Sequence, residues 1–89
     1  MPLSREEKQA IFSEYGLHEG DTGSAPVQIA MLTQRINGLI EHLREHTHDE
    51  HTRRGLLKLV GRRRRLLAYL RRTRPALYQD LIRHLSLRH

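Results

Sequence analysis

The densest chemistry in this chain is a run of cations. Residues 53–74 hold Arg53, Arg54, Lys58, Arg62, Arg63, Arg64, Arg65, Arg71, Arg72 and Arg74, ten positive charges with no Asp or Glu among them. Residues 1–52 carry nine acids against four bases, a net of −5, so the formal +6 of the whole chain is concentrated in one segment. Fourteen of the sixteen cations are arginine, whose planar fork pairs bidentately with phosphate and stacks on bases, where lysine offers a compact point charge. Ten like charges at this density repel one another unless a polyanion neutralises them, which makes nucleic acid the leading partner. On a helical wheel Arg54, Lys58, Arg62, Arg65, Tyr69 and Arg72 fall within an arc of roughly 80°. That stripe is about 27 Å long at ~1.5 Å per residue, suited to following a phosphate backbone. Tyr69 within it can offer its ring to a base and its hydroxyl to a phosphate or sugar. Arg63 lies in the middle of the apolar arc instead. It is expected to lay its stem along the core edge and reach outward, with no role in binding.

A second group of reactive side chains is the histidine-rich stretch His42, His46, His48, Asp49 and His51, followed by Thr52. Two chemistries fit it. His42 and His46, at i and i+4, share a helix face and could chelate zinc with His48, Asp49 or His51. Alternatively His42, Asp49 and Thr52 present hydrogen-bonding groups to base edges in the wide, shallow minor groove of an A-form helix. One turn without a cysteine is an unspecific metal set, so no metal is assigned. Phosphates repel a carboxylate, so Asp49 beside Arg53 and Arg54 points to a base or ribose contact, with helix capping as the structural alternative. Further forward, Gln28, Arg35 and His42 stand seven residues apart, on one line beside a buried stripe. Thr22 and Gly23, in the loop Asp21-Thr22-Gly23-Ser24, add a hydroxyl, a close backbone approach and the free amides of a helix start. Ser24 is expected to cap that helix.

These side chains need helices to hold them. Aliphatic residues recur at steps of three and four, Gly and Pro separate the runs, and β-branched alternation is absent. The pattern predicts an all-α fold of four helices, three longer ones packed as a bundle with a short mobile N-terminal helix. The first spans about 4–15, where Ser4 and Glu7 form a capping box and Gly16 supplies a left-handed end. The second runs from near Ser24 to near His46 with Pro26 in its first turn, burying Ile29, Leu32, Ile36, Leu39, Ile40 and Leu43. The third covers about 50–72 and buries Leu56, Leu59, Val60, Leu66, Leu67 and Leu70. The fourth, opened by Thr73 and Pro75, packs through Leu77, Leu81, Ile82 and Leu85, and Phe12, Tyr15 and Tyr78 join the core.

Size and composition narrow the function further. At 89 residues the chain is a single domain, 1–89, with a thin core and no room for an enclosed catalytic cavity. Without cysteine it has neither disulfides nor a thiolate metal site. No apolar run approaches the ~18 residues of a membrane span, and the polar N-terminus is unlike a signal peptide. No serine stands in a base-and-orienter setting and no Gly-Lys-Ser or Gly-Lys-Thr loop is present, so neither an enzyme nor a cofactor is expected. The apolar stripes are expected to be used up in a mutual core, leaving no face for a membrane or partner helix.

Asp21-Thr22-Gly23-Ser24, Val27-Gln28, His42 with His46, Asp49, His51-Thr52-Arg53-Arg54-Gly55-Leu56-Leu57 and Arg63-Arg64-Arg65-Leu66-Leu67-Ala68-Tyr69-Leu70 together resemble the bacterial small-subunit ribosomal protein fifteen family, over the whole chain. The resemblance implies a structural protein of the cytoplasmic ribosome, monomeric when free. Its partner would be the central domain of small-subunit ribosomal RNA, gripped at a three-way junction and an adjacent minor groove early in platform assembly. Carried over residue by residue, junction contacts fall to Thr22, Gly23, Gln28, Arg35, Arg65, Tyr69 and Arg72. Groove contacts fall to His42, Asp49 and Thr52, with His46 close by. It further implies neighbouring small-subunit proteins, large-subunit RNA facing the turn at 46–51 as an intersubunit bridge, and the chain's own messenger as partners. Three departures stand out: Ala25-Pro26 where Thr-Glu is common, Glu50 where His is common, and Thr52 where Ser is usual.

Overall fold

A computed structural model of the chain describes residues 3–18, 20–21 and 23–85. Four helices account for nearly all of it: α1 (Arg5–Tyr15), α2 (Ala25–Glu45), α3 (Glu50–Thr73) and α4 (Pro75–Leu85). No strand occurs among the described residues. The predicted boundaries fall within a residue or two of these, because the end signals are local and chemical. Ser4 Oγ accepts from the Glu7 amide and Glu7 Oε1 accepts from the Ser4 amide, the reciprocal capping box that starts α1. Gly16 ends α1 for a different reason from the one expected. Its φ of −63° is not left-handed, but a Cβ there would sit 2.5 Å from the Phe12 carbonyl oxygen, to which the Gly16 amide donates. The left-handed glycine is Gly20, with φ 81°.

The start of α2 also departs from expectation. Ser24 is the N-cap residue but its side chain makes no capping bond. Asp21 instead organises the loop ahead of the helix, accepting the Gly23 and Ser24 amides on Oδ1 and the Leu17 amide on Oδ2. Pro26 is buried in the first turn, where its missing N–H costs nothing.

The helices pack as a long hairpin, α2 against α3, thickened at one end only. There α1 lies on α2 and α4 lies chiefly on α3. Ile29, Leu70, Tyr78, Leu81 and Ile82 form one buried cluster, and Ile11, Val27 and Ala30 form a second between α1 and α2. Tyr15 touches both. Fully burying a side chain such as Leu70, 2% exposed, contributes roughly 1.5–3 kcal/mol.

Away from this end burial fades. Of the α3 residues expected in the core, only Leu70 is buried; Leu56, Leu59, Val60, Leu66 and Leu67 are half-buried. On α2, Ile29, Leu32 and Ile36 are buried, Leu39 and Leu43 half-buried, and Ile40 is 39% exposed. Leu57 is 66% exposed. The apolar stripes are therefore not used up, because past the reach of α1 and α4 each long helix has one neighbour and cannot cover more than one side of its stripe. Phe12 and Tyr15 likewise end half-buried, at the rim of the core.

Arg63 bridges the hairpin rather than reaching outward. Its Nη1 donates to Thr33 Oγ1 at 3.1 Å, and that buried hydroxyl donates to the Ile29 carbonyl at 2.8 Å. Partial burial lowers the guanidinium's pKa below its ordinary value.

Candidate nucleic-acid interface

α3 is helical through the whole basic run, so the spacing of its cations becomes a surface. Arg54, Lys58, Arg62, Arg65, Tyr69 and Arg72 are all exposed. Tyr69 leaves 51% of its surface to solvent, and the Arg72 guanidinium carbon sits 5.9 Å from its ring centroid, so the aromatic platform carries a cation beside it. Among the described residues no carboxylate pairs with the five cations of this stripe; the ion pairs lie elsewhere, Arg53 with Glu50, Arg44 with Glu41 and Arg83 with Asp80. An unneutralised row on a rigid rod is what a phosphate backbone requires. Glu50, one of the departures, is thus partly offset by Arg53, whose Nη2 also donates to the Thr47 carbonyl and braces the turn.

The turn between α2 and α3 is a built polar site. Asp49 is the N-cap of α3. Its Oδ1 accepts from the Thr52 amide at 3.0 Å, and its Oδ2 accepts from the Thr52 hydroxyl at 2.6 Å and pairs with His42 Nε2 at 2.9 Å. Those bonds, the Thr52 hydroxyl and amide first and His42 after, hold the carboxyl well below the usual carboxylate range. Capping and an outward role are compatible here. A carboxylate has about four lone-pair sites, and the internal bonds use three of them. Among the described residues one acceptor on Oδ1 stays available, and both partners are held in fixed orientations. His46 stacks beside His42 with ring centroids 4.6 Å apart, and a shallow open hollow runs past both to His48 and Asp49. Zinc has no such geometry, since no three His, Asp or Glu side chains converge among the described residues.

Other candidates are spread along α2. Gln28 and Arg35 are exposed and His42 is half-buried, as expected for the flank of a buried stripe. Gln28 Nε2 donates to the Gly23 carbonyl at 2.7 Å, tying the helix flank to the exposed Gly23. Thr22 lies outside the described residues. Sequence reasoning missed Asp21, which gathers three backbone amides and is buried. The available signal was an Asp two residues ahead of a glycine at a helix start, the pattern of an Asx turn. It also missed Glu14 Oε1 against His84 Nε2 at 2.7 Å, which ties α1 to α4 across seventy positions. No local pattern reports such a pair.

The likeness to known proteins is consistent with this layout. The family model for ribosomal protein S15 matches residues 8–88. Proteins named small ribosomal subunit protein uS15 are 61% identical over 88 residues in Roseiflexus castenholzii and in Chloroflexus aurantiacus, covering 99% of this chain and 99% of each relative. One of the same name from Rhodococcus erythropolis is 59% identical over the same span. An exposed arginine row, a capped histidine turn and a match along nearly the full chain agree, and the chain belongs to the ribosomal protein S15 family.

Proposed function

We propose that this chain is a structural, non-catalytic constituent of the small ribosomal subunit that binds ribosomal RNA. The observation that carries the reading is the exposed row from Arg54 to Arg72 with no carboxylate paired to it among the described residues. In finer detail, the protein clamps a three-way junction in the central domain of small-subunit RNA. Arg65 and Arg72 neutralise phosphates, Tyr69 offers a stacking face, and Gly23, Gln28 and Arg35 complete the grip along with Thr22. His42, Asp49 and Thr52 read an adjacent minor groove, supported by the fixed orientation of all three and the spare acceptor on Asp49.

Holding two RNA elements in fixed relation makes the protein an early organiser of the platform. The hairpin tip presents exposed His46, His48 and His51 far from the packed end, which favours contact there with large-subunit RNA across the subunit interface. Neighbouring small-subunit proteins and the chain's own messenger are the remaining partners in this reading, and the free protein is a monomer.

A filter-binding assay tests the clamp: the junction RNA intact, against the same RNA with one arm deleted. The intact junction is expected to bind far more tightly. Equal binding of the two removes the junction reading and leaves only a general affinity for RNA.

A further inference from the structure

Past the four-helix end, little in the apolar seam between α2 and α3 fixes how far one helix sits along the other. Leu56, Leu59, Val60, Leu66 and Leu67 on α3 and Leu39 and Leu43 on α2 are only half-buried. Apolar contact is non-directional, so a shallow seam of similar aliphatic side chains gives a slid helix nearly the same burial as the observed one. One contact in this stretch is directional. Arg63 Nη1 donates to Thr33 Oγ1 at 3.1 Å, and Thr33, 7% exposed, donates in turn to the Ile29 carbonyl at 2.8 Å. Among the described residues it is the only side-chain hydrogen bond that joins α2 to α3 along their length, since His42 with Asp49 closes the turn instead.

The cost of this bond sets it apart from ordinary packing. A half-buried guanidinium gives up hydration that one bond to a hydroxyl does not return, and an apolar side chain of the same length would fill the site without that penalty. The best-attested use of a polar group held inside an apolar seam is to fix helix register.

Register here controls the spacing of the proposed RNA contacts. At ~100° per residue, Gln28 and Arg35 are turned about 140–160° one way from Thr33, and Lys58, Arg62, Arg65 and Tyr69 about 100–160° the same way from Arg63. In an antiparallel pair, turns in the same sense bring both sets to one face of the hairpin, and all six residues are exposed. A slip of one residue moves one set past the other by about 1.5 Å, well beyond the roughly 0.5 Å span of good hydrogen-bond distances.

We infer that Arg63 is a positioning residue: its bond to Thr33 sets the register of α3 against α2, and so the spacing of the cationic and polar groups that the two helices present on one face. The inference rests on the RNA-binding reading above and gives an inward arginine a part in binding that it plays without touching RNA.

The chain has no cysteine, so spin labels can be placed at Glu41→Cys and Arg64→Cys, exposed positions on α2 and α3 offset along the hairpin. In that labelled protein without RNA, Arg63→Met is expected to broaden or shift the label-to-label distance distribution. In the unlabelled protein it should weaken filter binding to a three-way-junction RNA about tenfold, the order of one or two misplaced hydrogen bonds, with the log–log salt slope unchanged. The urea midpoint of Arg63→Met should hold or rise. Thr33→Val, which strands the guanidinium, should lower that midpoint, and adding Arg63→Met to it should restore it.

An unchanged distance distribution in Arg63→Met, or undiminished affinity, overturns the inference. A salt slope lowered by about 0.7–0.9 means that Arg63 meets a phosphate itself, and overturns it as well. A urea midpoint that falls in step with affinity reduces the bond to ordinary stabilisation and has the same effect. Failure of the wild-type protein to prefer the intact junction over one with an arm deleted sinks the broader RNA-binding reading instead, while the distances, measured without RNA, still decide the register.

Discussion

The two ends of the α2–α3 hairpin are built on different physics. At one end α1 and α4 flank the pair, and Ile29, Val27 and Leu70 are almost wholly removed from water. At the other the two helices have only each other, Leu57 and Ile40 stay exposed, and order is kept by hydrogen bonds among Asp49, Thr52, His42, Arg53 and Thr47. Apolar burial thus concentrates stability at the four-helix end. A polar network holds the turn, which leaves its hydrogen-bonding groups at the surface where an apolar cap would hide them. The basic stripe runs between the ends, on the flank neither uses.

The sharpest way to break this comparison is to hollow out the packed end. Leu70→Ala should cost about 2–5 kcal/mol, while Leu59→Ala, at a half-buried site, should cost less than half as much. Urea denaturation of both variants decides it, and equal losses would mean the core is uniform after all. Next in size is RNA affinity. On the proposed reading, in which the exposed cations hold RNA and not the fold, Arg65→Ala and Arg72→Ala should each lower the salt slope of RNA binding by about 0.7–0.9 with the urea midpoint unmoved.

Asp49→Ala separates the ends in another way. It should weaken binding several-fold to an RNA bearing a G·C pair at the groove site, and less to one with that pair exchanged. A uniform loss on both RNAs would reduce Asp49 to a cap.

The smallest expected effect is on acid stability. Asp21 and Asp49 both have carboxyl pKa values depressed by hydrogen bonds in the folded chain. Their stabilising contribution is present above the unfolded value near ~4 and is lost as pH falls through the folded values. The urea midpoint should therefore drop below about pH 4 in the wild type and drop less steeply in Asp21→Asn. Identical slopes would show that Asp21's bonds add nothing to folding.

Much of this was legible before any coordinates. Helix ends were, because Ser4 with Glu7, Pro26 and Pro75 act on their immediate neighbours, although Thr73, expected to open α4, is the last residue of α3 and donates its hydroxyl back to the Tyr69 carbonyl. So was the stripe, since helical spacing alone collects Arg54, Arg65 and Arg72 on one line. The depth of burial along α3 was not. Leu59 and Leu70 obey the same periodicity, and only the placement of α4 makes one of them core. Arg63 was misjudged because its partner Thr33 lies thirty positions away, and no local pattern reports that the Ser24 hydroxyl makes no capping bond while Asp21 holds the Gly23 and Ser24 amides.

The sequence by itself therefore determined four helices, their limits and a cationic face, all consequences of interactions within a few residues of the chain. The tertiary structure decided how far the core extends, that Arg63 turns inward, and that Asp21 and Asp49 use their charges on the backbone before offering anything to a partner. Each of those depends on which groups compete for the same donor or the same space, and that competition exists only once distant segments are brought together.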